Sequence, residues 1–170
     1  FSQNISQNNS IYNHGSMISK SMFDQFMRPY YTRLVPRLKE RGVVTFVDSD
    51  GDITQPIAWF QEAGLQGVLP LERQAGVDVA KLRALYPRMV FMGHFDKLKM
   101  HLGETAMRVE FERLLPIASQ GGFFISVDHQ TPPGVSYADY HVFLRLFRDY
   151  AKLAGEGSRV LHVDSVLQPF

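Results

Sequence analysis

Apolar positions fall into two rhythms along this chain, and the chain switches between them four times. Val43-Val44-Thr45-Phe46-Val47, Gly67-Val68-Leu69-Pro70-Leu71, Met89-Val90-Phe91-Met92 and Phe123-Phe124-Ile125-Ser126-Val127 are short, nearly unbroken apolar runs, each read as a buried strand. Between them the apolar residues recur at helical intervals. Phe23, Phe26, Met27, Tyr30, Tyr31, Leu34 and Leu38 form one such stripe ending at Gly42, and Pro29 and Pro36 inside it predict a kink or a break into two pieces. A helix from about Gln55 carries Ile57, Trp59 and Phe60 to Gly64, and a short one runs from Val79 to Tyr86 before Pro87. A third presents Met107, Phe111, Leu114, Leu115 and Ala118 on one face. The last buries Tyr140, Phe143, Leu144, Phe147 and Ala151 and ends at Gly155-Glu156-Gly157. Ser19 or Ser21 caps the first helix, the latter with Asp24 at capping-box spacing, and Ser136 with Asp139 caps the last. Val160 to Val166 is either an extra strand or a tail.

Strand–helix alternation predicts parallel strands joined by right-handed crossovers. Each strand also ends in charge: Asp48-Ser49-Asp50-Gly51-Asp52, Glu72-Arg73, Gly93-His94-Phe95-Asp96 and Asp128-His129. Buried strands gain nothing from charged ends unless those ends open on something, and ligands bind at the carboxyl ends of parallel strands. The pattern therefore predicts an enzyme-type fold with an acid- and histidine-lined mouth. Four strand–helix units fall short of an eight-stranded barrel, which takes about 200 residues or more. Missing sequence is a simpler account of the shortfall than two chains pooling their halves. The start at Phe1 and the polar stretch Ser2–Ser10 likewise lead us to expect a longer protein.

Composition narrows the partners. The chain has 170 residues, 45% hydrophobic and 21% charged, and a net charge of +1, too balanced to attract nucleic acid by bulk charge. The absence of Cys excludes disulfides, thiolate nucleophiles and Cys-based zinc sites. No apolar stretch nears the roughly 18 residues that span a bilayer, and no signal-peptide pattern opens the chain, so the expected location is the cytoplasm, with no membrane partner.

Local chemistry leaves alternatives at each strand end. Asp48 and Asp50 alternate, so at most one of them points straight into the mouth, and Asp50 is the better placed. The other reading is a turn at Asp50-Gly51 with Asp52 capping the next helix. His129, before the stiff Pro132-Pro133 loop, is a general acid, a neutral metal ligand oriented by Asp128, or a core histidine bonded to a carbonyl. Glu72 with Arg73 lines the pocket or pairs at its rim; Asp96 with Lys97 lines it or starts a helix.

Six stretches in order carry a resemblance: Tyr12-Asn13-His14-Gly15, Phe26-Met27-Arg28-Pro29-Tyr30-Tyr31, Asp48-Ser49-Asp50-Gly51-Asp52, Pro70 to Asp78, Gly93-His94-Phe95-Asp96-Lys97 and Asp128-His129-Gln130-Thr131-Pro132-Pro133. The set resembles the uroporphyrinogen decarboxylase family, (β/α)8 barrels that include the porphyrinogen decarboxylase and the corrinoid-linked methyltransferases. It covers about residues 8–153 and is more specific for the family than for the reaction. The resemblance implies an α/β fold, the C-terminal part of a (β/α)8 TIM barrel, with 1–170 a partial domain and a tail at 155–170. In the methyltransferase branch a His-x-Cys and a later Cys hold zinc. Asp48, Asp50 and His129 stand at the matching positions and imply a harder divalent site. In the decarboxylase branch a histidine follows the late strand, where His129 stands, and the arginine substrate clamp lies in the N-terminal part. Asn8-Asn9 replace a Glu-Asp pair, which removes two charges from the mouth. His94 stands where the family usually has a small residue, so it narrows the pocket or supplies a donor; His14 reaches the mouth from its loop.

The expected catalytic residues are thus Asp50, His129, Glu72 and Asp96, with His14, Arg73 and His94 binding a small-molecule substrate and Asp48, Asp50 and His129 holding a metal. The leading expectation is methyl transfer to a corrinoid or thiol acceptor, with a divalent ion such as zinc as Lewis acid and a corrinoid protein as partner. The alternatives are decarboxylation of a carboxylated tetrapyrrole without any cofactor and non-catalytic binding of a tetrapyrrole or corrinoid. A half-barrel leaves open strand edges, which a second copy, a second half-barrel or the rest of the protein would cover.

Overall fold

The computed structural model describes the backbone of residues 2–7, 11–12 and 15–157 and the side chains of 16–156. Asn8, Asn9, His14 and the stretch Val160–Val166 therefore lie outside the described residues. Five parallel strands form one sheet in the order β1 (Ser2–Gln7), β4 (Val44–Asp48), β5 (Gly67–Leu71), β6 (Val90–Phe95) and β7 (Phe123–Val127). A small antiparallel pair, β2 (Ile11–Tyr12) and β3 (Gly15–Ser16), stands apart from it. The fold is α/β, as expected. The four predicted strands are β4–β7 within a residue or three of their expected bounds, whereas β1 comes from a polar stretch that carries no strand pattern.

The first helical stripe is interrupted just before Pro29, while Pro36, also expected to kink or break it, sits inside a continuous helix. Lys20–Met22 (α1) runs into a π-helical turn, Phe23–Met27, and then into α2, Arg28–Lys39. Pro29 has no N–H to donate, and the widened turn lets Arg28 bond back to Phe23 just before it. Ser19, not Ser21, caps this segment, accepting from Met22 N at 3.2 Å. Asp24 forms no capping box because its carboxylate is held by Lys20 at 2.7 Å and Arg28 at 3.1 Å. Phe23 packs on Trp59 and Phe60 of α3 (Ile57–Glu62), with centroids 5.7 and 5.9 Å away.

The other half of the core sits under α5 (Glu104–Ala118) and α6 (Tyr137–Gly157). There Phe95 of β6 meets Phe111 at 4.7 Å and Phe143 at 5.0 Å, and Phe111 stacks on Tyr150. Helix α6 buries Phe143, Leu146 and Tyr150, while Tyr140, Phe147 and Ala151 stay exposed, so its buried stripe is rotated from the expected one. Residues 155–157, expected in the tail, are its last turn. Between α4 (Val79–Leu85) and the amino ends of β6 and β7, buried Arg83 donates to the carbonyls of Tyr86, Met89 and Gly122. It closes the end of the sheet opposite the mouth. No helix among the described residues is long and apolar enough to cross a membrane.

Candidate active site

The carboxyl ends of β4–β7 all open on the same side of the sheet, and there the acid–histidine mouth is partly assembled. A cavity of about 550 Å³ is lined by Asp48, Asp50, Leu69, Pro70, Met92, Ser126, Val127, His129 and Gln130. Within it His129 Nε2 lies 3.5 Å from Asp50 Oδ1, and both side chains remain about one-third open to solvent. Burial pushes the Asp50 carboxyl up from its ordinary value; the His129 ring opposes that push, Glu72 and Asp48 add to it, and Lys97 opposes it. A carboxylate and an imidazole in this arrangement can share and relay a proton to a bound molecule.

A second layer holds the pair in place. Gly51 N, next to Asp50, donates to Glu72 Oε2 at 2.7 Å. Glu72 Oε1 lies 3.8 Å from Lys97 Nζ, which lies 3.7 Å from Asp128 Oδ1. Asp128, next to His129, is fully buried and accepts from the backbone N–H groups of Arg73 and Lys97, both at 3.2 Å. The contacts close a ring, Asp50-Gly51, Glu72, Lys97, Asp128-His129 and back to Asp50, that ties together the loops after all four strands. Burial raises the Asp128 carboxyl, and Lys97 is the largest opposing influence. Glu72 therefore serves from behind the pair, and Asp128, expected only as a support for His129, joins Lys97 in holding the loops together. The signal was present in charged residues directly following apolar strands.

Three expected site residues are drawn elsewhere. Asp96 caps the 3₁₀ turn Lys97–Leu102 through Leu98 N at 3.0 Å and accepts from Gln74 Nε2 at 2.7 Å, the helix-start alternative. The Arg73 side chain turns away from His129 toward Asp96 and Glu110. His94 is buried, donating from Nε2 to Val77 O at 2.8 Å and accepting at Nδ1 from Arg113 at 3.1 Å. Arginine only donates, so this geometry requires the neutral Nε2–H tautomer. His94 turns outward because its φ is +66°, and Gly93 before it leaves no room for a Cβ, which would lie 2.5 Å from Leu71 N.

Burial depresses the His94 imidazole below its ordinary 6.5. The unfolded chain therefore takes up a proton near pH 6.5 that the native chain refuses, and stability is lost as pH falls below that value. The expected slope is at most about 1.4 kcal/mol per pH unit. His94→Asn, which tolerates the left-handed backbone, should flatten that slope in urea unfolding measured across this range.

Asp48 shares the cavity, but among the described residues no three His, Cys, Asp or Glu side chains are grouped as ligands of one ion. Carboxylate oxygens and an imidazole nitrogen are donors that a divalent ion takes, and Asp48, Asp50 and His129 are not drawn together as one ligand set in this structure. The family model described as Uroporphyrinogen decarboxylase (URO-D) matches residues 8–150. No curated protein matches the chain.

Proposed function

Since the chain belongs to the uroporphyrinogen decarboxylase family, we propose that it is a decarboxylase acting without cofactor on a carboxylated tetrapyrrole or a related acid. The observation that supports this reading is the Asp50–His129 pair, 3.5 Å apart in an open cavity at the strand ends. In the reaction the bond between the substrate carbon and its carboxylate breaks, CO2 leaves, and the electron pair stays on carbon. A proton first added to the substrate ring puts positive charge on its nitrogen, which Asp50 stabilises while that charge draws in the electron pair. His129 then delivers the proton that the carbon takes up, and the ring proton is released to solvent. Strands β4–β7 are in this reading the C-terminal part of a (β/α)8 barrel whose mouth the cavity forms.

The test is anaerobic incubation with uroporphyrinogen, with and without a chelator, followed by chromatography of the products. Porphyrinogens with fewer carboxyls, formed equally in both arms, are the expected result. Product only in the absence of chelator would overturn the cofactor-free reaction. Pigment bound but unchanged would replace the enzyme with the binding protein. Transfer of a methyl group to a corrinoid or thiol acceptor, with no loss of carboxyls, would replace decarboxylation with methyl transfer.

A further inference from the structure

A second cavity, about 560 Å³ and sharing no lining residue with the first, lies between the loop after β5 and helix α5. Arg73, Gln74, Gly76, Val77, Asp78, His94 and Arg113 line it. We propose that it is a binding site for a small oxyanion, a phosphate or carboxylate group, held by the guanidinium groups of Arg73 and Arg113.

Arg113 is fixed before any ligand arrives. Its Nε and Nη2 engage both oxygens of Glu110 at 2.9 and 2.5 Å, and Nη2 also reaches His94 Nδ1 and His94 O. Among the described residues Nη1 is left without a hydrogen bond, so the fork keeps donors to spare. Arg73 is the opposite case, a cation whose carboxylates are already taken. Its Nε comes only within 3.8 Å of Asp96 and 3.9 Å of Glu110. Asp96 is bonded more closely by Gln74 and Leu98 N, and Glu110 by Arg113 and Asp96 N. Among the described residues both Nη groups of Arg73 are thus unengaged, and its side chain is 39% exposed.

Two forks with free donors on one cavity match the planar, multi-acceptor geometry of phosphate and carboxylate groups. Asp78 faces the same cavity, but its Oδ1 is spent on Lys81 N at 3.1 Å. The backbone backs this design, since the left-handed turn at His94 is what brings its ring against Arg113.

The experiment is a titration of the full chain with inorganic phosphate, and separately with succinate, at constant ionic strength. The readout is the Nε–H resonances of Arg73 and Arg113. Saturation in the millimolar range is expected for at least one probe, and the tighter of the two identifies the class. Arg73→Gln leaves the Arg113–Glu110 pair intact and should weaken binding by about tenfold or more. Arg73→Lys, which keeps the charge but loses the fork, should fall between. Arg145→Gln, which removes a remote cation paired with Glu104, should bind as the unaltered chain does. A response to both probes that stays linear into tens of millimolar, or equal affinity in Arg73→Gln, would overturn the site. Neither result depends on any activity at Asp50 and His129.

Discussion

Replacing His129 with alanine is expected to lower kcat for decarboxylation by about a hundred- to ten-thousand-fold, the usual contribution of a positioned acid–base group. KM should change little, because the ring's task falls on the carbon after CO2 has left and is not part of substrate binding. Asp50→Asn keeps the size of the side chain but removes its charge, so its loss should be smaller. The double variant should be little worse than His129→Ala, because the two groups act as a unit and their effects do not add. Product chromatography over a range of substrate concentrations gives all three numbers. A His129→Ala enzyme that keeps its kcat would remove the pair from the chemistry altogether. Equal and additive losses from the two residues would mean that they act separately, not across their 3.5 Å approach.

Strand positions were legible because buried strands write themselves as unbroken apolar runs, and β4–β7 all came from such runs. Strand β1 was not legible. Ser2–Gln7 pairs with β4 through backbone groups, which leave no apolar signature. Site geometry was legible only up to the direction of each side chain. Asp50 and His129 follow regular strands, and ordinary alternation carried both into the same cavity. His94 follows Gly93, and the left-handed φ at His94 reverses the direction that alternation predicts. Asp96 and Arg73 are drawn to other partners for another reason: a carboxylate next to a helix start is claimed by backbone N–H groups, and an arginine side chain reaches far from its own loop. The partners that decide both, Gln74, Glu110 and Arg113, come from other loops and helices. Nothing in the local sequence announces them. The strand pattern was enough for the α/β class and the charged strand ends, while the ring behind them needed three dimensions to be seen.

That ring makes the largest stability prediction. Lys97→Met removes the cation between Glu72 and Asp128 while keeping most of the side chain's apolar length. Asp128 has no exposed surface, so it would be left as a buried charge with backbone donors alone. Breaking a buried ion pair from one side costs about 3 kcal/mol or more near neutral pH. The pH dependence follows from the direction of the shift. In the native chain Asp128 holds its proton above the ordinary 3.8, so native protein binds more protons than unfolded protein in that window, and stability is lost as pH rises through it. Removing Lys97, the main influence holding the carboxyl down, extends the window upward. The cost of the substitution should therefore be greatest near neutrality and shrink on acidification, as Asp128 takes up its proton. Urea unfolding of both proteins at neutral pH and about two units lower reads this directly. Adding Asp128→Asn to Lys97→Met should recover part of the loss, because the orphaned charge is gone. A loss that stays constant with pH and survives the second substitution would show that Lys97 contributes packing, and that the Asp50–His129 separation is set without the ring's charges.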